Sequence, residues 1–236
     1  LNAIMGQCRP GDLGFDVMHF NLHKTFGTPH GMGGPGSGPV GVGARLLPFL
    51  PGPRVVKQDG GFDLEMPELS MGRLAPFFGN FLVAVRAYAY ILACGGDGLA
   101  AVSRAAVLNA NYVLARLKEA YQAAFDGTCM HECVITAAPQ AEKDIHALDI
   151  AKALLDRGFH APTVYFPLTV KECLMIEPTE TESKETLDEF CDAMIEIARL
   201  VDSDPDALHN APQQTPVGRL DEVKAARELD CAYLPG

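Results

Sequence analysis

The stretch Asn21-Leu22-His23-Lys24-Thr25-Phe26, with the glycine-rich run Pro29 to Gly43 directly after it, decides how this chain reads. Before it, Phe15-Asp16-Val17-Met18-His19-Phe20 predicts a short apolar strand, which puts Lys24 just past a strand's end. In open α/β sheets, ligands bind outside the carboxyl ends of the strands. A lysine there, preceded by a histidine and followed by bendable backbone, suits an imine between its ε-amine and an aldehyde cofactor. That chemistry needs an amine that can lose its proton and a loop that admits a large ligand. On position alone a solvated surface lysine is the better reading, since most lysines near strand ends are solvated.

Two nucleotide motifs lie close by in letters and fail in context. Gly36-Ser37-Gly38-Pro39-Val40-Gly41 spells G-x-G-x-x-G, but no apolar strand leads into it, and Pro48 and Pro51 interrupt the residues after it. Lys24-Thr25 is not a phosphate loop, because His23 stands where the glycine belongs. What Gly31, Gly33, Gly34, Gly36, Gly38, Gly41 and Gly43 supply is backbone that reaches positive φ and can come close to a ligand.

The full wording narrows the reading. His19-Phe20-Asn21-Leu22-His23-Lys24-Thr25-Phe26, then Pro29-His30-Gly31-Met32-Gly33-Gly34-Pro35-Gly36-Ser37-Gly38-Pro39, closely resembles the pyridoxal phosphate lysine segment of glycine dehydrogenase (decarboxylating). That enzyme family is the P-protein of the glycine cleavage system. Further segments resemble it too: Phe78-Gly79-Asn80, Arg86-Ala87-Tyr88-Ala89-Tyr90-Ile91 and Ala106-Val107-Leu108-Asn109-Ala110-Asn111-Tyr112. So do Leu148-Asp149-Ile150-Ala151-Lys152, Gly158-Phe159-His160-Ala161-Pro162-Thr163 and the run Met175 to Glu185.

The resemblance implies an α/β fold, the carboxyl-terminal part of a fold-type I pyridoxal phosphate-dependent transferase of the aspartate aminotransferase type. It implies pyridoxal 5'-phosphate on Lys24, decarboxylation of glycine, and transfer of the aminomethyl group to the lipoyl arm of a carrier (H) protein. His23 and Asn21 would donate to the phosphate or orient the imine, with Thr25 a weaker candidate for the same task. His19 and His30 would stack on the ring or simply pack. No metal is expected. The expected partners are glycine, the lipoylated carrier, and the other P-protein subunit or an amino-terminal half, in a hetero-oligomer. The matched length is nearest subunit 2 of the two-subunit enzyme, in the cytoplasm, or the mitochondrial matrix of a eukaryote. In the family, the aspartate that pairs with the pyridine nitrogen belongs to a segment before the position of Leu1, so this polypeptide by itself is expected to be inactive. The alternatives are another fold-type I enzyme, an aminotransferase or a cysteine desulfurase, or an inactive truncated subunit. An aminotransferase needs a carboxylate-binding arginine late in the chain; Arg157 and Arg199 have no supporting motif, and Cys173 lies in an expected strand.

Four segments are expected: 1–96 from the large domain, 97–122 a connecting helix, 123–202 a small α+β domain, and 203–236 a tail. Phe77 to Cys94 reads as a buried core helix, marginal in length for a bilayer span and interrupted by Asn80 and Arg86. Gly95-Gly96 ends it, and Leu99, Val102, Ala106, Ala110, Val113, Leu117 and Tyr121 recur at helical spacing after Asp97. Val55 to Pro67 reads as irregular or a weak hairpin. Further on, Cys129 to Ala137 predicts a strand, Asp144 to Arg157 a helix closed by Gly158, and Pro162–Phe166 and Cys173–Ile176 two strands. Thr179-x-x-Glu182 has the form of a capping box, before an apolar stripe of Leu187, Phe190, Met194, Ile197 and Val201. Leu220 to Leu229 reads as one short helix.

Composition excludes more than it selects. Lys plus Arg is 19 against Asp plus Glu 30, a net charge of −11 with no basic block, so a nucleic-acid partner is not expected. Seven scattered cysteines without a Cys-x-x-Cys pair favour a reducing compartment. Cys129-Met130-His131-Glu132-Cys133 would put Cys129, His131 and Cys133 on one strand face, but no fourth zinc ligand is evident.

Overall fold

The computed structural model describes residues 1–30, 34, 36–74 and 78–232. The chain divides into two units, Leu1–Arg104 and Ala105–Gly236.

In the first unit, β1 (Val17–His19) leads into α1 (Leu22–Thr25), and β2 (Val40–Val42) returns antiparallel to β1 with His19 opposite Val40. Residues 54–65 form a true hairpin, β3 (Arg54–Gln58) against β4 (Gly61–Glu65), where the sequence left irregular structure open. Then comes α2 (Phe81–Leu117), broken at Gly95, whose φ of 61° and ψ of −179° only glycine adopts easily. The expected stop at Gly95-Gly96 is therefore a kink between two helical stretches.

Length and composition would let α2 cross a membrane. The buried core helix expected from Phe77 on is a helix from Phe81, but not a buried one: Phe81, Leu82, Tyr88 and Leu92 are exposed. Ahead of Gly95, Val83 and Ala87 are buried with Met5, Leu22 and Phe26, and Tyr90 and Ile91 pack partly buried against the same small cluster.

The second unit is built around a four-stranded antiparallel sheet in the order β5-β6-β8-β7. Its strands are β5 (Gln122–Ala123), β6 (Cys133–Thr136), β7 (Thr163–Val164) and β8 (Cys173–Ile176). Between β6 and β7 lie α3 (Ala138–Ala141) and α4 (Ala147–Leu155); after β8 come α5 (Lys184–Ser203), α6 (Pro205–His209) and α7 (Glu222–Arg227). Ala106, Ala110, Val113 and Leu117 are fully buried, as their spacing predicts, and the α5 stripe of Leu187, Met194, Ile197 and Val201 is buried with Phe190 packed against the same core.

Two local expectations are corrected. The strand begins at Cys133, not Cys129, because the Asn111 side chain takes the hydrogen bonds a ladder would need. Its Nδ2 donates to the Cys129 carbonyl at 2.7 Å and its Oδ1 accepts the Cys129 N–H at 2.9 Å. The cap of α5 is Ser183, whose Oγ accepts the Thr186 N–H at 3.2 Å, so Thr179 opens no helix.

Candidate active site

Lys24 is carried by a helix of a single turn, too short to be stable alone. Packing holds it. Leu22 and Phe26, four residues apart and hence on one face, are both buried with Met5, Val83 and Ala87. That leaves Lys24 exposed, and its ammonium has no hydrogen bond or ion pair among the described residues.

The glycine-rich loop closes back on this turn through its backbone. The Leu22 N–H donates to the Ser37 carbonyl at 2.9 Å, and the Phe20 N–H to the Pro39 carbonyl at 3.3 Å. His23 Nδ1 lies 3.1 Å from the Ser37 nitrogen and 3.2 Å from its carbonyl oxygen. Asn80, just ahead of α2, donates from Nδ2 to the Gly36 carbonyl at 2.8 Å. Glycine at two loop positions leaves room for the histidine rings. A Cβ on Gly38 would stand 2.2 Å from the His19 ring, and one on Gly36 3.3 Å from the His23 ring.

Of the residues singled out by sequence, the structure pairs His19 with Asn21 and His23 with His30. His19 Nε2 donates to Asn21 Oδ1 at 2.9 Å, since an amide oxygen can only accept. The His23 and His30 rings meet edge to face with centroids 4.5 Å apart. Thr25 is half-buried and its hydroxyl bonds nothing among the described residues. Gly31, Met32, Gly33 and Pro35 of the loop lie outside the described residues. Sequence reading named neither Ser37, Thr28 nor Asn80 as a site residue. Among the described residues, Thr28 Oγ1 and His30 Nδ1 are buried polar atoms here without a hydrogen-bond partner. Leaving such atoms unsatisfied costs about 1–3 kcal/mol each, so they mark where a polar ligand would be welcome.

The second unit holds other polar groups. His131 Nε2 stands 3.7 Å from Glu132 and 3.8 Å from Glu177, so the histidine joins two glutamates rather than the cysteines of its own segment. A cavity of about 300 Å³ is lined by Phe159, Pro162, Met175, Leu187 and Phe190 and includes none of the residues around Lys24. Two of the buried cysteines there are poor nucleophiles: burial pushes the Cys133 thiol up to about 12 and the Cys191 thiol to about 11.

Comparison with known proteins decides the lineage. Residues 102–215 match the family model described as glycine dehydrogenase, C-terminal domain. A "probable glycine dehydrogenase (decarboxylating) subunit 2" of Exiguobacterium sibiricum is 61% identical over 236 residues, 99% of this chain and 48% of its own length.

Over nearly its whole length the chain is similar to the glycine dehydrogenase (decarboxylating) family.

A family member of the same name from Caldanaerobacter subterraneus is 57% identical, covering 96% of this chain and 47% of its own length. The chain thus spans about half the length of the curated relatives it matches. Among solved structures, an inhibitor-bound glycine decarboxylase (P-protein) of the glycine cleavage system superposes with a TM-score of 0.68 at 23% identity. That match covers 80% of this chain and 45% of the other. A cysteine desulfurase from Thermococcus onnurineus gives a TM-score of 0.57 at 17% identity, over 80% of this chain and 48% of the other. These structural likenesses show the fold, that of fold-type I pyridoxal phosphate-dependent enzymes. The close curated relatives favour the glycine dehydrogenase family over the desulfurase.

Proposed function

We propose that this chain supplies the cofactor lysine of a glycine decarboxylase. In that reading glycine loses its carboxylate as CO₂, and its aminomethyl group passes to the lipoyl arm of a carrier (H) protein. One observation carries it: the exposed amine of Lys24, unpaired among the described residues, in the turn that follows β1 and beside a loop that glycines let close on two histidines.

The residues suit pyridoxal 5'-phosphate. Lys24 offers the amine for covalent attachment, His23 and Asn21 offer donors beside it, and Thr28 Oγ1 and His30 Nδ1 are buried polar atoms unsatisfied among the described residues. When bound, that cofactor supplies an electron-withdrawing ring for the electron pair left on the glycine α-carbon. The chain's own part is to hold and orient. Leu22 and Phe26 fix the turn that aims Lys24, and Gly36 and Gly38 remove the side-chain bulk that would hold the loop off the histidines. His19 keeps the Asn21 amide in one orientation.

A partner subunit belongs to the same proposal. The relatives are named as subunit 2, and the first unit leaves Phe62, Phe81, Leu82 and Leu74 exposed, an apolar surface of the kind partners cover. The reducing compartment expected from the free cysteines is the cytoplasm or its mitochondrial equivalent.

Exchange of labelled bicarbonate into the carboxyl group of glycine tests the proposal. Assembled with its partner subunit, pyridoxal phosphate and lipoylated carrier, the protein should catalyse the exchange, and Lys24→Ala should lower the rate at least about a thousandfold. Absence of exchange with every component present, or release of sulfur from cysteine instead, overturns it.

A further inference from the structure

Among the described residues Asn80 makes no hydrogen bond to Lys24, His23 or Asn21, yet it holds the loop that bonds His23. We propose that Asn80 is a positioning residue of the Lys24 site, acting through Gly36 and Ser37 to fix which nitrogen of His23 carries the proton. The tautomer is one link in this claim, and hydrogen-bond accounting decides it.

His23 Nδ1 is within bonding distance of both the Ser37 N–H and the Ser37 carbonyl. The carbonyl already accepts from the Leu22 N–H at 2.9 Å, whereas the described backbone offers the Ser37 N–H no other acceptor. If Nδ1 carried the proton, the Ser37 N–H would face another donor and stay unsatisfied. If Nδ1 is the bare nitrogen, it accepts the Ser37 N–H, and all three groups are satisfied at once. The proton is then on Nε2. His23 therefore presents an N–H donor from the far side of its ring, the form suited to an acceptor such as an anionic oxygen.

The Ser37 N–H can do this only if its peptide plane is held. That plane contains the Gly36 carbonyl, and Asn80 Nδ2 donates to that oxygen at 2.8 Å. A carbonyl can only accept, so the amide must present its NH₂ group here, and the asparagine orientation is fixed by chemistry. Asn at the start of a helix ordinarily turns its oxygen to the helix's own N–H groups. Here the side chain reaches across 44 residues of sequence to a loop peptide instead. The absent Cβ at Gly36 completes the arrangement, since one would stand 3.3 Å from the His23 Cε1. Loop peptide, amide and imidazole thus form one chain of contacts running from Asn80 to His23, the neighbour of Lys24 in sequence.

This rests on the proposed function only for its consequence, because the tautomer itself is a property of the protein. Long-range ¹H–¹⁵N spectra of the histidine-labelled intact protein, with His23 assigned by loss of its signals in His23→Gln, read the tautomer without cofactor. The wild type should show His23 protonated on Nε2. Asn80→Ala, and Asn80→Asp with the same shape but no donor, should shift it toward a mixture with the Nδ1–H form, with His146 and His209 unchanged. In a separate titration followed by absorbance, both variants should bind pyridoxal phosphate about three- to tenfold more weakly, the effect of one hydrogen bond. A wild-type His23 protonated on Nδ1, or a tautomer unmoved in both variants, overturns the proposal. If the cofactor fails to bind the wild type while the tautomer responds as stated, the proposed function fails and the role of Asn80 in fixing His23 stands.

Discussion

The two units of this chain are built to different standards of self-sufficiency. The second closes a core around fully buried Leu117, Ile135, Ile150, Leu154, Leu174, Met194 and Ile197, with a four-stranded sheet against its helices. The first, which carries Lys24, has two separate two-stranded sheets and a small buried cluster of Met5, Leu22, Phe26, Val83 and Ala87. Two-stranded sheets are marginal by themselves in water. Large side chains lie open beside them, Phe62 at 76% and Phe81 and Leu82 at 73% exposure. The unit proposed to carry the chemistry is thus the one whose own packing supports it least. Loops and weakly packed elements that must admit a ligand come from the low-stability end of a fold.

Thiol accessibility gives the widest separation. Cys8 in the first unit is exposed, whereas Cys133, Cys173 and Cys191 are buried in the second with burial holding their thiols protonated. Alkylation of the native protein should label Cys8 at least about a thousand times faster than Cys133 or Cys191, because the latter wait for the core to open. Comparable rates would mean that the second unit has no closed core.

Truncation in each unit sharpens the contrast. Leu154→Ala should cost about 2–5 kcal/mol in urea unfolding, while Leu82→Ala should stay within about 0.5 kcal/mol. In the first unit the sensitive positions are close approaches rather than core side chains. Gly6 has a φ of 66°, and a Cβ there would lie 2.6 Å from the Ala100 Cβ and 3.0 Å from its Cα. Gln7 Nε2 also donates to the Ala100 carbonyl at 3.0 Å, so this turn is stitched to α2. Gly6→Ala should cost about 2–3 kcal/mol by combining left-handed strain with overpacking. A neutral result would show that the turn is free to move off the helix.

How much of this was legible in the sequence tracks the same divide. In the second unit, the α5 stripe and the residues of β8 read directly, because periodicity and burial agree there. Where a side chain overrode local pattern, reading failed: Asn111 holds Cys129 out of β6, and Ser183 rather than Thr179 caps α5. In the first unit, the His23-Lys24 wording pointed to the family, but apolar composition alone predicted a buried helix where the stretch of α2 before Gly95 is largely exposed. The Asn80–Gly36 bond joins residues 44 apart, and no local pattern signals such a pairing.

The smallest expected effect concerns pH. A hydrogen bond to Glu172, with the charge of that carboxylate, raises the His146 imidazole above its ordinary value, and the Ala147 N–H binds the same carboxylate at 2.8 Å whatever the pH. A raised folded-state value stabilises the protein fully below the unfolded value near 6.5, and the gain fades as pH rises through the folded value. Glu172→Gln should therefore lower the urea midpoint more at about pH 5.5 than at about pH 8.5, since the protonated ring gains more from the carboxylate than the neutral ring does. An equal loss at both would show that the pair contributes only its pH-independent bonds.

The central claim is that the weakly packed unit holds the reactive lysine, and covalent trapping tests it most directly. The assembled protein is incubated with pyridoxal phosphate, reduced with borohydride, digested, and mapped by mass spectrometry. The account predicts a pyridoxyl label on the peptide containing Lys24 and none in Lys24→Ala. A label on another lysine, or one that persists in Lys24→Ala, would contradict it.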